Sequence, residues 1–561
     1  MVITVLQERR NKDGGKENEK ETCRETCRIE IEGEQKKTLL DLLRENGIYV
    51  DAPCNGRGNC GKCLVQYRSG APEPAGQEKK KLTEEKLREG WRLACTSVPT
   101  EDCGVFVPGR EEMAVETGFS CGGEKQSAVP SGQGYGAVLD IGTTTLAAVL
   151  IKISTGETCG NAVSVNHQRA YGADVISRIR AANEGKGAIL QSCIREDILA
   201  LLEKLTAQAQ IAGEQITSLV IAGNTTMCHL LLGYSCEGLG KAPFTPMDIS
   251  LQKKSWEEVF GNRKYPAEVT VLPGISAFVG ADIVAGIYST DLCGRKQRNG
   301  GKQRNSGEIL QRSSEEQKNG GEPENSGESC ALLLDIGTNG EMALFAGGRL
   351  FVTSVAAGPA FEGGNISCGM AGVPGAISRA ALFGRDRMVV KTVGNAKPEG
   401  VCGSGIIDVV YELVKHRLVD ENGTLRPEFF EKGYPVVKDS IYFTQEDIRQ
   451  VQMAKAAIHA GIELLLQTAG VQFSQVERVF LAGGFGTAID TDKAAGIGLL
   501  PMELRRKVTA VGNSALAGAK CCLIEPEAGE DMAELAKTAQ EINLALQPEF
   551  EETYLKRMQF F

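Results

Sequence analysis

Three short strings recur in the same order in the two halves of this 561-residue chain, and that recurrence constrains its fold more than any other feature. AVLDIGTTTLAAVLI (137–151), LVIAGNTTMCHLLLG (219–233) and SAFVGADIVAGIY (276–288) are answered by LLLDIGTNGEMALF (332–345), RVFLAGGFGTAID (478–490) and TAVGNSALAGAK (509–520). Each set reads as an apolar strand ending in DIGT, an apolar strand ending in AG, and a helix of small residues opening on VG. A match at three points in one order implies two copies of one structural unit. The second copy is longer by about 65 residues between its DIGT and its AG. The added stretch holds AAGPAFEGGNISCGM, VCGSGIIDVV and a long helix opened by a capping box, Thr444 with Asp447.

The chemistry of DIGT gives a reason for its duplication. A buried strand ends in an aspartate, and a tight turn follows whose glycine permits an unusual φ. Successive amides in such a turn form an anion-binding concavity, threonine hydroxyls add donors, and the carboxylate holds Mg²⁺ through water. Two facing copies would grip a polyphosphate from both sides. A single DIGT is equally well a hairpin turn with a capping aspartate; the repeat shifts the balance towards phosphate. LAGGFGT adds a glycine pair after a buried strand, where backbone can lie against a base or ribose without Cβ interference. The small-residue helices suit a close crossing between two lobes, and plain core packing explains them nearly as well.

A second constellation lies near the N-terminus. DAPCNGRGNCGKCLVQY (51–67) and the later WRLACTS give the spacing C-x5-C-x2-C-x31-C through Cys54, Cys60, Cys63 and Cys95. Four thiolates complete a [2Fe–2S] cluster, two to each iron. Glycines 56, 58 and 61 let the backbone wrap the sulfides and donate N–H bonds. A structural zinc site of four cysteines is the alternative, although zinc ribbons are usually built from two CxxC knuckles. The order strand, strand, helix, cluster loop fits a β-grasp ferredoxin. Cys23, Cys27, Cys103 and Cys121 read as thiols outside any site.

These signatures divide the chain into a ferredoxin-like domain at 1–107, a linker at 108–136 and a first lobe at 137–293. A low-complexity insertion follows at 294–329, then a second lobe at 330–561. The linker is rich in Gly, Ser and Pro. The insertion repeats RKQRNGG, KQRNSGE, EQKNGGE and PENSGE, with too little apolar content to offset the entropy of ordering, so it is expected to be disordered. The formal charge of −10 opposes broad nucleic-acid binding, which needs a basic footprint. No apolar segment follows a basic start, and no run approaches the roughly 20 apolar residues of a membrane span. A cytoplasmic location is expected, with most of the 18 cysteines reduced or bound to metal.

The set DIGTTT, DIGTNG and LAGGFGT resembles the phosphate-1, phosphate-2 and adenosine motifs of the superfamily that holds acetate and sugar kinases, heat-shock chaperone ATPases and actin. That resemblance implies two RNase H-like lobes around an ATP cleft, an α/β region following the α+β ferredoxin. By motif position Asp140, Gly142, Thr143 and Thr144 would face the terminal phosphates and Mg²⁺. Asp335, Gly337, Thr338 and Asn339 would form the opposing loop, with Gly483 and Gly484 at the adenosine and Asp140 and Asp335 as the catalytic carboxylates. Glu362 and Asp174 are further candidates to position Mg²⁺ or water, with helix capping as the plainer reading. Lys455 either reaches the nucleotide or lies on a solvated face, and His229 reads as buried and hydrogen-bonded.

A ferredoxin joined to such an ATPase resembles the reductive activators of corrinoid proteins over nearly the whole chain. NHQRAYGADVISRI (166–179), IAGNTTMCHLLLG, AAGPAFEGG (356–364), CGSGIID (402–408) and MAKAAIHAGI (453–462) carry the likeness. The resemblance implies ATP-dependent transfer of one electron from the cluster to cobalt(II), giving cobalt(I) for methyl transfer. It implies Cys54 and Cys60 on one iron, and Cys63 and Cys95 on the other. The partners implied are a corrinoid protein or corrinoid-dependent methyltransferase, an upstream donor (reduced ferredoxin, flavodoxin or a reductase) and a second copy in a homodimer. Thiolate-bound [2Fe–2S] clusters lie near about −400 mV, and raising one electron costs about 2.3 kcal/mol per 100 mV, which ATP can cover. The competing readings are a small-molecule kinase under redox control and a nucleotide-switched scaffold without catalysis. The activator of 2-hydroxyacyl-CoA dehydratases is another redox relative, but it carries its cluster at a dimer interface instead of on a separate domain.

Overall fold

The computed structural model describes residues 2–10, 22–30, 37–46, 48, 50, 52, 56, 58, 61, 63–108, 134–294, 330–384, 387–483 and 489–560. Cys54, Cys60, Cys121, Gly484, nearly all of the expected linker and all of the expected insertion but Gly294 lie outside them. The chain divides into two compact units, Met1–Glu112 with Asn166–Ile194, and Met113–Val165 with Arg195–Phe561.

The first unit is built on a five-stranded sheet. Its strands β1 (Val2–Arg10), β2 (Thr22–Glu30), β3 (Leu64–Ser69), β4 (Trp91–Leu93) and β5 (Cys103–Val107) lie in the order β2-β1-β5-β3-β4. The first two pair antiparallel from Val2 opposite Glu30 to Arg10 opposite Thr22, while β1 and β5 run parallel. The helix Leu39–Glu45 starts where the Thr38 hydroxyl accepts from the Asp41 amide, and its leucines 39, 40, 42 and 43 are buried. Period-two burial on β3 (Val65, Tyr67) and β5 (Cys103, Val105, Val107) supplies the facing side of the core. This sheet with its helix is the β-grasp ferredoxin fold.

The segment Asn166–Ile194 belongs to the same unit. The Asp174 carboxylate accepts from the Ser177 amide at 2.7 Å and starts the helix Val175–Ala181, so Asp174 is a cap. Arg178 is wholly buried, donating to Gly172 O and to Gln168 Oε1.

In the second unit the repeat becomes a repeated sheet. The first copy contributes β6 (Tyr135–Ile141), β7 (Thr145–Lys152), β8 (Glu157–Val165), β9 (Ile216–Gly223), β10 (Gln252–Ser255) and β11 (Glu268–Val271), ordered β10-β11-β9-β6-β7-β8. The second copy places β12 (Ala331–Ile336), β13 (Gly340–Ala346) and β14 (Arg349–Val355) in the roles of β6, β7 and β8. Its inserted residues add a small sheet of β15 (Ala376–Phe383), β16 (Arg387–Thr392) and β17 (Gly400–Val401), the hairpin of β18 (Tyr434–Val437) and β19 (Ile441–Phe443), and the helices Gly403–Lys415 and Gln445–Ala469. The main sheet then resumes with β20 (Arg478–Ala482), β21 (Val508–Gly512) and the edge strand β22 (Gln540–Glu541), giving β21-β20-β12-β13-β14-β22. Without the edge strands β10 and β22, both sheets have three antiparallel strands followed by two parallel ones, the RNase H-like order.

Register carries the equivalence to single residues. Asp140 lies beside Ala222 on the neighbouring parallel strand, and Asp335 beside Ala482, so each DIGT turn meets its own AG turn at one sheet end. The helices Ala281–Ser289 and Ser514–Ile524, one from each copy, cross in close contact. A Cβ on Gly518 would stand 2.3 Å from the Ala285 carbonyl oxygen, and one on Gly286 would stand 2.8 Å from Ser514 Oγ. The small residues that the sequence left open between core packing and a close crossing serve the crossing.

Candidate functional site

Both DIGT turns open into one cavity of about 420 Å³. Asp140, Gly142, Thr143 and Thr144 line it from the first copy; Asp335, Gly337, Thr338, Asn339 and Gly483 line it from the second. Neither Gly142 nor Gly337 adopts a positive φ, contrary to the unusual backbone expected of the turn. Glycine is required at 142 for space, because a Cβ would stand 2.6 Å from the Thr145 carbonyl that accepts the Gly142 N–H. Gly483 is the left-handed position, at φ +106, with a would-be Cβ 2.6 Å from Ile336 O.

The two turns converge on one acceptor. Thr144 Oγ1 donates to Glu362 Oε2 at 3.2 Å, and Thr338 Oγ1 donates to the same oxygen at 2.9 Å. Glu362 ends the short helical turn Pro359–Glu362, part of the stretch that lengthens the second copy. A second tie joins the copies where Asn513 Nδ2 donates to Asp140 Oδ2 at 2.7 Å, while the Asn513 side chain also caps its own helix.

Buried carboxyls crowd this floor. Burial pushes Asp140 up to about 6 against the opposing hydrogen bond from Asn513. Asp282 is pushed to about 7 by burial and then by the charge of Asp140. Asp335 reaches about 8 through burial and the charges of Asp282, Asp140 and Glu362. Glu341 moves upward for the same reasons, burial first. Carboxyls gathered at such cost suit a site that receives a cation. Among the described residues no three His, Cys, Asp or Glu side chains group so as to hold a metal ion. The carboxyls of Asp140 and Asp335 are oxygen donors of the kind a hard cation such as Mg²⁺ would take.

Asp282, Glu341 and Asn513 escaped the sequence reading although each lies inside a recognised string. Their signal was a polar residue in an otherwise small or apolar pattern, Asp282 in VGADIVAGI and Asn513 in VGNSALAGA. Lys455 fits neither reading offered for it. It is 1% exposed and donates to the carbonyls of Arg557 (2.7 Å) and Gln559, beneath the Phe560 ring. Burial lowers its pKa to about 7. His229 is buried as expected, with Nδ1 on Thr225 O and Nε2 accepting from the Met247 amide.

In the first unit the two described cysteines of the constellation meet. Cys63 Sγ and Cys95 Sγ are 3.2 Å apart, both buried and both free of disulfide. Gly56, Gly58 and Gly61 all have positive φ, +79, +73 and +69, as a loop wrapped around inorganic sulfide requires. The Arg44 guanidinium, close enough to feel both cysteine charges, keeps Nε and Nη2 buried with no hydrogen-bond partner among the described residues. Paired thiols beside unused donors fit an iron–sulfur cluster. Among the described residues no helix is long and apolar enough to cross a membrane.

Comparison with known proteins gives the following matches. Residues 23–100 match the model of the 2Fe-2S iron-sulfur cluster binding domain, residues 135–295 the RACo middle region, and residues 329–561 the C-terminal domain of RACo, the ASKHA domain. The chain is 31% identical over 454 residues to corrinoid activation enzyme RamQ of Eubacterium limosum, covering 76% of this chain and 70% of that protein. It is 26% identical over 460 residues to the [Co(II) methylated amine-specific corrinoid protein] reductase of Methanosarcina barkeri, covering 76% and 77%. A solved reductive activator for corrinoid,iron-sulfur protein superposes with a TM-score of 0.65 at 24% identity, over 99% of this chain and 98% of that one.

Proposed function

The chain belongs to the family of reductive activators of corrinoid proteins, and from that membership we propose that it uses ATP to drive one electron onto the cobalt(II) of a corrinoid protein, giving the cobalt(I) state that accepts a methyl group. The observation that carries the nucleotide half is the meeting of Thr144 and Thr338, one from each copy, on a single oxygen of Glu362.

The residues divide the work by position. The backbone amides of Thr143, Thr144, Thr338 and Asn339 bind the phosphates, and Gly483 with Gly484 admits the adenosine. Asp140 and Asp335 would hold Mg²⁺, with Asp282 and Glu341 beside them on the cavity wall. Mg²⁺, when bound, screens the phosphate charge that these carboxylates would otherwise repel. Glu362 orients the attacking water and accepts its proton, and the threonine hydroxyls fix the carboxylate that does so. Cys54, Cys60, Cys63 and Cys95 would hold the [2Fe–2S] cluster, which when bound would supply the electron. ATP closes the two copies around the crossing of their small-residue helices, the closed form engages the corrinoid partner, and hydrolysis resets it. An upstream donor such as reduced ferredoxin, flavodoxin or a reductase refills the cluster. A cytoplasmic homodimer completes the proposal.

The test is anaerobic reduction of a cobalt(II) corrinoid protein by the reduced, cluster-loaded chain, followed by absorbance with and without ATP. Cobalt(I) that accumulates only with ATP is the expected result. Equal rates without nucleotide, or a phosphorylated metabolite in place of free phosphate, would overturn it.

A further inference from the structure

The helix Leu39–Glu45 hangs from the turn that carries Cys95. Its first amides, those of Leu39 and Leu40, donate to Ser97 O (2.8 Å) and Ala94 O (2.9 Å). Leu40 faces the cysteine loop: a Cβ on Gly56 would stand 3.6 Å from Leu40 Cδ2 and 3.8 Å from Cys95 Cβ. Arg44 comes four residues later and so shares that helical face. Its guanidinium carbon lies 5.9 Å from the centre of the Tyr171 ring, within cation–π range, and Tyr171 belongs to the same unit.

An arginine on the last turn of a surface helix normally extends its head into water. Arg44 does the opposite. Its Nε and Nη2 are shielded from solvent and donate to nothing among the described residues. A buried donor left unpaired is costly, more so when charged, and two on one side chain call for an acceptor. Among the described residues, the charges that reach the guanidinium are those of Asp41 on its own helix, Tyr171, Cys63 and Cys95. Asp41 is occupied as part of the helix cap, taking the Thr38 hydroxyl at 2.6 Å. Among the described residues, the cysteine sulfurs, and the cluster they would hold, are the acceptors that remain.

We propose that Arg44, held against Tyr171, donates its Nε–H and Nη2–H to the sulfur ligands at the Cys63–Cys95 end of the cluster and thereby raises the cluster's reduction potential. Reduction adds one negative charge at the cluster. A fixed cation with two aimed N–H groups favours that reduced form, as hydrogen bonds to cluster sulfurs do in general. Tyr171 acts through Arg44 as a positioning residue. It comes from the string NHQRAYGADVISRI, so a part of the chain that follows β8 in sequence helps set the potential of a cluster held by residues 54–95.

The proposal rests on the iron–sulfur reading of the loop, and a redox titration separates the two. Full-length, cluster-loaded protein is titrated anaerobically, with visible absorbance and electron paramagnetic resonance as readouts. Arg44→Leu and Arg44→Gln are expected to shift the potential to more negative values, and Arg44→Lys, which keeps the charge but loses the fork, to shift it less. Tyr171→Leu is expected to move it in the same direction at unchanged cluster content. If Arg44→Leu fails to assemble, the near-isosteric Arg44→Gln decides. A normal wild-type cluster with unmoved potentials in the Arg44 variants overturns this proposal alone. A wild-type protein without [2Fe–2S] spectra overturns the reading of the loop, and this proposal with it.

Discussion

Replacing Gly518 by alanine is expected to strain the joint between the two copies, whereas the same change at Gly286 should be nearly silent. The two glycines occupy equivalent places in VGNSALAGA and VGADIVAGI, and alanine brings each the same gain in helix propensity, about 1 kcal/mol. The difference lies in what the new methyl meets. At 518 it would stand 2.3 Å from Ala285 O and 2.5 Å from Ala285 Cα, backbone atoms that move only if the helices part. At 286 it would meet Ser514 Oγ at 2.8 Å and Leu333 Cδ2 at 3.0 Å, both side-chain ends. Ser514 Oγ has no hydrogen-bond partner to lose when it turns away. Overpacking against a rigid wall costs about 1–3 kcal/mol or somewhat more. After the propensity gain, Gly518→Ala should lose about 2 kcal/mol and Gly286→Ala should fall within about 0.5 kcal/mol of wild type. Thermal unfolding followed by circular dichroism would register the first as a drop of a few degrees. ATP hydrolysis should fall with it, because the joint sets the spacing of the two phosphate turns. A Gly518→Ala protein that melts no lower than Gly286→Ala would refute the reasoning.

Glu362→Gln keeps an oxygen for the two threonine hydroxyls but removes the base, so the hydrolysis rate should fall by about 10²-fold or more. ATP affinity should hold or improve, since one negative charge leaves a crowded floor; steady-state kinetics beside nucleotide titration checks both, and an unchanged kcat sinks the role. Cys95→Ala should abolish the visible cluster spectrum and corrinoid reduction while ATP binding persists; reduction at the wild-type rate would remove the cluster from the pathway. Lys455 gives a pH dependence. Unfolded, its amine stays protonated up to the ordinary 10.5, whereas folded it is neutral above about 7. Between those values the unfolded state binds more protons, so stability rises with pH, by something on the order of 2 kcal/mol from pH 7 to 9. Denaturant unfolding of wild type and Lys455→Met at the two pH values checks this, with the rise expected to shrink in the variant; an equal rise in both would show that another group is responsible.

Legibility in the sequence followed how locally each feature is encoded. DIGT, AG and VG are turn and packing constraints written in consecutive residues, so both sheets and their equivalence could be read without coordinates. The helix Leu39–Glu45 was equally plain from leucines that fall on one helical face ahead of a terminating glycine. Glu362 was only a weak candidate, because its meaning depends on Thr144, 218 residues away, as well as on Thr338. The glycine of DIGT was right for a different reason, steric closeness instead of an unusual φ. Lys455 was misread because nothing around it announces that the chain end packs on top of it. Arg44 carries no signal in the sequence, since the buried state of a guanidinium is a tertiary property.

The contact between Ala281–Ser289 and Ser514–Ile524 also decides where the joint can give. Gly518 meets the Ala285 backbone, whereas its counterpart Gly286 meets the ends of the Ser514 and Leu333 side chains, so the duplicated helices do not cross symmetrically. One wall of the joint is main chain and the other is side chain, and any change in spacing between the copies falls first on the Gly286 side.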